Sequence, residues 1–341
     1  MEVIPQVGAG EAKTSIMSRK EPKLHAVPRR RAAGGKKDAG GGQDAIGKKG
    51  REKPQLVSGR WLLIAVCGTI AAAIFCGWLG LCLLFWQGSW QLLYHPAAAV
   101  TRTPASAGLA FDPVAFATTD TGVPRLKGWW IPATRGARLA RFTVIYLHGQ
   151  DGNLGDTVDA LVRLHGVQVN VLAFDYRGYG ASQFARPSEA HWRQDADWAV
   201  DYLTGTRQID AGTIVLDGAG LGANLALEVG AEHPELAGVV VDSPIDDPAG
   251  AILNDARVRL VPARLLVRDR YDVDAAAGMV RAPLLWFERA DAAESAGARQ
   301  EPEACKKVAV RKMLVWLNPS GDENKEVVDA MSRWLDELAA R

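Results

Sequence analysis

Residues 214–224 read Ile-Val-Leu-Asp-Gly-Ala-Gly-Leu-Gly-Ala-Asn: an apolar run, glycines at alternate positions, then helix-forming residues. A buried strand that turns this sharply into a helix needs parallel strands beside it and helices over both faces of the sheet. The turn has the outline of G-x-S-x-G, a strained corner that lifts a serine above a parallel sheet. Gly218 and Gly222 are its flanking glycines, and Gly220 stands where the serine would be.

The rest of the chain supplies such a sheet. Residues 114–118 and 126–131, on either side of the turn 120–124, predict two opening strands. The apolar runs 142–147, 169–174, 213–216, 238–242, 284–287 and 312–317 predict buried strands. Helical patterns over 155–165, 188–204, 221–231 and 326–340 alternate with them, and 245–280 is irregular to helical. This alternation specifies an α/β domain over 110–341, with a mostly parallel sheet flanked by helices.

Upstream, the composition changes twice. Residues 1–60 carry 14 Lys/Arg against 6 Asp/Glu, residues 61–101 carry neither, and the remainder carries 26 against 33. Residues 1–58, rich in Gly, Lys, Arg and Ala, cannot bury enough apolar surface to offset their chain entropy and are expected to form a disordered basic tail. Its basic clusters suit anionic lipid. With no aromatic residues interleaved for base stacking and an acidic domain downstream, a nucleic-acid partner is not expected.

Trp61 to Trp86 is a run of 26 residues without a charge. As a helix it would reach roughly 39 Å, against a hydrocarbon core of about 30 Å. Trp61 at one end, and Trp86, Trp90 and Tyr94 at the other, are placed as interfacial aromatics. Residues 59–87 are therefore expected to cross a membrane once, as a signal-anchor that is not cleaved, with 88–109 as a linker. The positive-inside rule puts the tail in the cytoplasm and the domain on the far side, the periplasm if the chain is bacterial. Cys67, Cys76 and Cys82 lie in this span and Cys305 is alone in the domain, so neither a disulfide framework nor a metal or cofactor site is expected.

Several blocks in order give the domain a resemblance. Gly128-Trp-Trp-Ile-Pro132, Tyr146-Leu-His-Gly149, Phe174-Asp-Tyr-Arg-Gly-Tyr-Gly-Ala-Ser182, Pro187-Ser-Glu189 and the glycine turn together resemble the α/β-hydrolase superfamily. The closest likeness is to its membrane-anchored branch of lipid and acyl-protein hydrolases. The resemblance implies a serine activated by a histidine that a carboxylate orients, in the chain order serine, acid, histidine, with backbone N–H groups for the oxyanion. Carried over, the serine position is Gly220, the acid is Asp291 and the histidine position is Asp322; the oxyanion donors are the N–H groups of Gln150 and Leu221. Histidines occur only at 25, 95, 148, 165, 191 and 233, so no shift of alignment supplies a base near the C-terminus.

Ser243 after the strand 238–242 and His148 in the oxyanion loop are the candidates for relocated catalytic groups, each with an ordinary structural role as its alternative. Ser182 is expected to serve as a turn residue. Asp291 and Asp322, with Asp217 or Glu288, could face one another at the old triad site and hold a ligand or cation. Two functions follow. One is a catalytically degenerate, membrane-anchored protein that binds a protein or small-molecule ligand. The other is an active membrane-associated hydrolase of lipid or acyl esters with relocated residues.

Overall fold

The structure, a computed structural model, describes residues 57–289, 299–318 and 321–340. The basic tail, but for Val57 and Ser58, lies outside the described residues, as does Asp291. Gly59–Arg341 form one compact unit. Its helices are α1 (Gly59–Gly88), α2 (Val158–Gly166), α3 (Glu189–Asp201), α4 (Leu221–Glu232), α5 (Pro248–Leu253), α6 (Ala263–Leu266), α7 (Val273–Met279), α8 (Glu303–Lys307) and α9 (Glu323–Ala339). Its strands are β1 (His95–Pro96), β2 (Asp112–Thr118), β3 (Pro124–Ile131), β4 (Thr143–Leu147), β5 (Asp151–Gly152), β6 (Asn170–Asp175), β7 (Ile214–Ala219), β8 (Gly238–Asp242), β9 (Leu284–Arg289) and β10 (Lys312–Leu317).

Eight strands form one sheet in the order β10-β9-β8-β7-β4-β6-β3-β2. β2 pairs antiparallel with β3, and β3 with β6; the other neighbours are parallel. Alternate side chains divide the strands between two cores. Ile145, Leu172, Leu216, Val241 and Trp286 face the layer of α3, α4 and α7. Val144, Val171, Val215, Val240 and Leu285 face α2 and α9. With β4 and β7 central and covered on both sides, the ends of these strands can hold a site in place while loops vary around it.

α1 is long and apolar enough to cross a membrane. The segment that follows it is built into the domain. Leu93 and Tyr94 are buried, and the Tyr94 hydroxyl lies 3.0 Å from that of Tyr271. β1 pairs in parallel with β5, and the Asn153 amide donates to the carbonyls of Ala97 and Ala99 at 3.1 and 2.9 Å. A proline- and alanine-rich stretch shows no periodicity, so bonds of this kind leave no trace in its pattern. The region 245–280 resolves into α5, a 3-10 turn at Ala256–Leu260, α6 and α7.

Candidate functional site: the turn above the central strands

β7 enters the glycine turn and α4 leaves it at Leu221. A Cβ on Gly218 would lie 2.1 Å from the Gly222 carbonyl oxygen, and one on Gly222 2.1 Å from that of Leu147. Those distances are below any real carbon contact, so both positions need glycine for β4, β7 and α4 to meet. Gly220 has φ +57° and ψ −124°, strained for a residue with a side chain. Its N–H donates to the Asp242 carbonyl at 3.0 Å. A Cβ here would meet only Gln150 Oε1, at 3.5 Å. The corner has the backbone and the space for a side chain at its summit, and the sequence supplies none.

Beside the summit, the Leu221 N–H at the start of α4 points out with the positive end of the helix dipole. It donates to Gln150 Oε1 at 3.3 Å. That amide oxygen is chemically what a substrate carbonyl would present to the same donor, so the donor is engaged from within the chain. The Gln150 backbone is fixed independently, its carbonyl accepting from the His95 N–H at 2.9 Å and the Tyr179 hydroxyl at 2.8 Å.

Asp291 lies outside the described residues, and the other carboxylates of the expected group each have a place of their own. Asp322 is the N-cap of α9, its side chain accepting from the Lys325 N–H at 3.1 Å, and it is exposed. Glu288 accepts from the Trp286 indole at 3.1 Å, and its half-buried position raises its pKa. Asp217 lies on the α2/α9 face of β7, and its partner in charge is Asp242, at the end of β8. Burial, with the Asp242 charge adding to it and Arg163 opposing it, pushes the Asp217 carboxyl up to about 7. Among the described residues no three His, Cys, Asp or Glu side chains are grouped to hold a metal ion.

An arginine occupies this ground. Arg289, at the end of β9, donates through Nη1 to Asp242 at 2.6 Å and to the Ser243 hydroxyl, and through Nη2 to Glu323 at 2.5 Å. Arg163 reaches Asp242 from α2 at 3.7 Å. The loops that follow β8 and β10 are thus pinned together by a cation. Sequence reasoning missed Arg289, Asp242 and Arg163; the signal was there in Phe287-Glu-Arg289, where charged residues directly follow a strand that is otherwise buried.

The two relocated candidates have structural places. Ser243 adopts φ +49°, its N–H donates to the Phe287 carbonyl at 3.0 Å, and its hydroxyl accepts from Arg289, with no imidazole touching it. His148 is fully buried among the rings of Tyr176, Tyr179 and Trp192. Nδ1 lies 2.8 Å from the Gly149 carbonyl, so it carries the proton. Nε2 has no hydrogen-bond partner, its nearest charged atom being Asp175 Oδ1 at 3.8 Å. Burial pushes His148 down to about 4, which leaves it neutral. Ser182 bridges the Asp175 carbonyl and the Lys127 N–H, as a turn residue does.

Comparison with known proteins agrees with this fold. The family described as serine aminopeptidase, S33 (Hydrolase_4) matches residues 139–317, just over half of the chain. The chain belongs to this α/β-hydrolase family. A Mycobacterium tuberculosis (strain ATCC 25618 / H37Rv) protein known only as the uncharacterized protein Rv2307c is 33% identical over 208 residues, covering 60% of this chain and 70% of that one. The α/β-hydrolase domain-containing protein WAV2 of Arabidopsis thaliana is 30% identical over 159 residues, covering 44% of this chain and 49% of its own. The Pyrococcus furiosus esterase Pf2001 superposes with a TM-score of 0.52 over 72% of this chain and 98% of its own. At 21% identity that likeness concerns the fold alone. The fold and the family are shared; the chemistry rests on the residues at the turn.

Proposed function

We propose that this protein is a membrane-anchored α/β-hydrolase-like protein that acts by binding and does not hydrolyse esters through a serine. The observation that carries this reading is the summit of the turn: glycine at 220, with the neighbouring Leu221 N–H already taken by the Gln150 side chain. Acyl transfer needs a nucleophile, a base and a free oxyanion donor together. Here the nucleophile position has no side chain, His233 is the last histidine of the chain, and the Leu221 N–H, one of the two expected oxyanion donors, is engaged. The Gln150 amide fills the space nearest the summit, which favours a protein partner held on the surrounding loops over a small ligand held on the turn. In this reading α1 crosses the membrane once, the basic tail is cytoplasmic and the domain lies on the opposite side.

A fluorophosphonate probe on the full chain in detergent tests the chemistry. No labelling is expected in the wild type. Labelling that disappears in Ser243→Ala would overturn the binding reading and establish a relocated serine hydrolase, with lipid or acyl esters as the substrates to try. A reporter enzyme active only outside the cytoplasm, fused after Arg341, tests the orientation; an inactive reporter on a stably produced fusion refutes it.

A further inference from the structure

We infer that the segment from the 3-10 turn at Ala256–Leu260 through α6 is an interfacial membrane element, with Leu260 and Leu265 entering the lipid and Arg259 and Arg264 meeting anionic phospholipid headgroups. This rests on the reading of α1 as membrane-spanning.

The first observation is the length of α1 that the domain leaves exposed. No side chain from Trp61 to Leu79 is buried, whereas Cys82 is buried and Phe85 and Trp86 are half-buried against the domain. The exposed stretch rises about 28 Å, close to the hydrocarbon thickness of about 30 Å. One face of the last turns of α1 is therefore held by protein, while Leu83 and Leu84 on the other face stay exposed. Arg186 donates to the Trp86 carbonyl at 3.1 Å, and the Arg268 guanidinium sits 4.6 Å over the Trp86 ring. On the face that the domain covers, the aromatic belt begins at Trp78, about 26 Å along the helix from Trp61 and ahead of Trp86, where the sequence alone puts it.

The second observation fixes what lies at the level of that belt. The Trp78 indole N–H donates to the Leu260 carbonyl at 2.9 Å. The backbone of the 256–260 turn therefore sits at the depth where a bilayer passes from hydrocarbon to headgroups. Leu260 is 71% exposed and Leu265 84% exposed. Single exposed leucines are ordinary on a protein surface. Two of them beside a spanning helix, at the level of its interfacial tryptophan, would otherwise face water at the membrane surface. Arg259 and Arg264, next to each leucine in the chain, are exposed as well. Leucines with flanking arginines form the amphipathic pattern of an element lying in the headgroup plane of an anionic membrane.

The arrangement also sets which edge of the domain faces lipid. α1 leads through β1 to β5, immediately after the end of β4, so the strand ends that carry the glycine turn are on the membrane side. The start of β10 and the end of α9, linked by the Arg311–Glu337 ion pair, are on the opposite edge.

The test uses the full chain in nanodiscs of phosphatidylglycerol and phosphatidylcholine, with Cys67, Cys76 and Cys82 replaced by alanine; Cys305 is fully buried and stays. An environment-sensitive dye is attached at Leu260→Cys, Leu265→Cys or, as control, Glu337→Cys, and quenched by lipids that carry a nitroxide near the headgroup. Several-fold stronger quenching at 260 and 265 than at 337 is expected, falling in Arg259→Gln/Arg264→Gln and in phosphatidylcholine alone. Equal quenching at all three sites, or the same quenching in neutral lipid, overturns the inference. Alkaline extraction of membranes separates the two readings. Release of the chain refutes the anchor and this element with it, and retention without quenching at 260 and 265 refutes the element alone.

Discussion

The buried Asp217 carboxyl makes a prediction about stability that depends on pH. Its pKa rises from an ordinary 3.8 to about 7 in the folded protein, through burial first and the Asp242 charge second. A carboxyl whose folded-state pKa is raised binds its proton more tightly folded than unfolded. Its favourable contribution is complete below about 3.8 and is lost as pH rises through 7. At about 1.4 kcal/mol per pKa unit, the full penalty on the ionised protein is on the order of 4 kcal/mol, of which about 3 develops between pH 5 and pH 8.

Asp217→Asn keeps the shape and removes the titration. With each kcal/mol worth about 2–4 °C in a domain of this size, the melting midpoint of the variant should gain roughly 6–12 °C on the wild type between pH 5 and pH 8. The assay is a pair of thermal scans on the full chain in one detergent, at both pH values and one scan rate, because many large proteins unfold irreversibly. A gap that stays constant, or narrows as pH rises, would show that Arg163 compensates the carboxylate in full and would refute the argument.

Other substitutions test other parts of the site. Gly222→Ala should cost more than about 4 kcal/mol and appear as loss of folded protein, since its Cβ would sit against the Leu147 and His148 carbonyls. Gly220→Ala should cost only about 1–2 kcal/mol, through its positive φ, and be visible as a modest fall in melting midpoint. His148→Gln should flatten the stability profile below pH 6.5: the wild-type ring, held near 4 when folded, makes the protein lose stability as pH falls from 6.5 towards 4. Arg289→Met should destabilise by about 1–2 kcal/mol by leaving Asp242 to the longer contact with Arg163, and a double-mutant cycle with Asp242→Asn should recover most of that as coupling.

The sheet was legible because buried parallel strands are short apolar runs between turn residues, and β8 and β10 fall on the residues that the pattern specifies. The glycine turn was legible because two of its glycines are sterically required. What the pattern could not carry was pairing at a distance. Gln150 meets Leu221 across 71 positions of sequence and Arg289 meets Asp242 across 47, and a polar residue that finds its partner looks no different from one left in solvent. Asp322 is the instructive case. Its neighbours Glu323 and Lys325 make it as good a helix N-cap as a triad substitute, and the cap moves the start of the last helix from 326 to 323. Residues 95–99 escaped for another reason: they are tied to the domain largely through their backbone groups, to which side-chain periodicity is blind.

That last segment has a mechanical consequence. The chain leaves α1 and within a few residues makes backbone bonds to the loop that carries Gln150: the His95 N–H to the Gln150 carbonyl, and the Ala97 N–H to the Gly152 carbonyl, each 2.9 Å. With α1 in a bilayer, as proposed, tension that passes the contacts of Trp78, Trp86 and Tyr94 is loaded onto that loop before it reaches the sheet. The amide that occupies the Leu221 donor belongs to a residue of that loop, so in the proposed anchored protein the chain leaving α1 and the occupant of the Leu221 donor are mechanically linked.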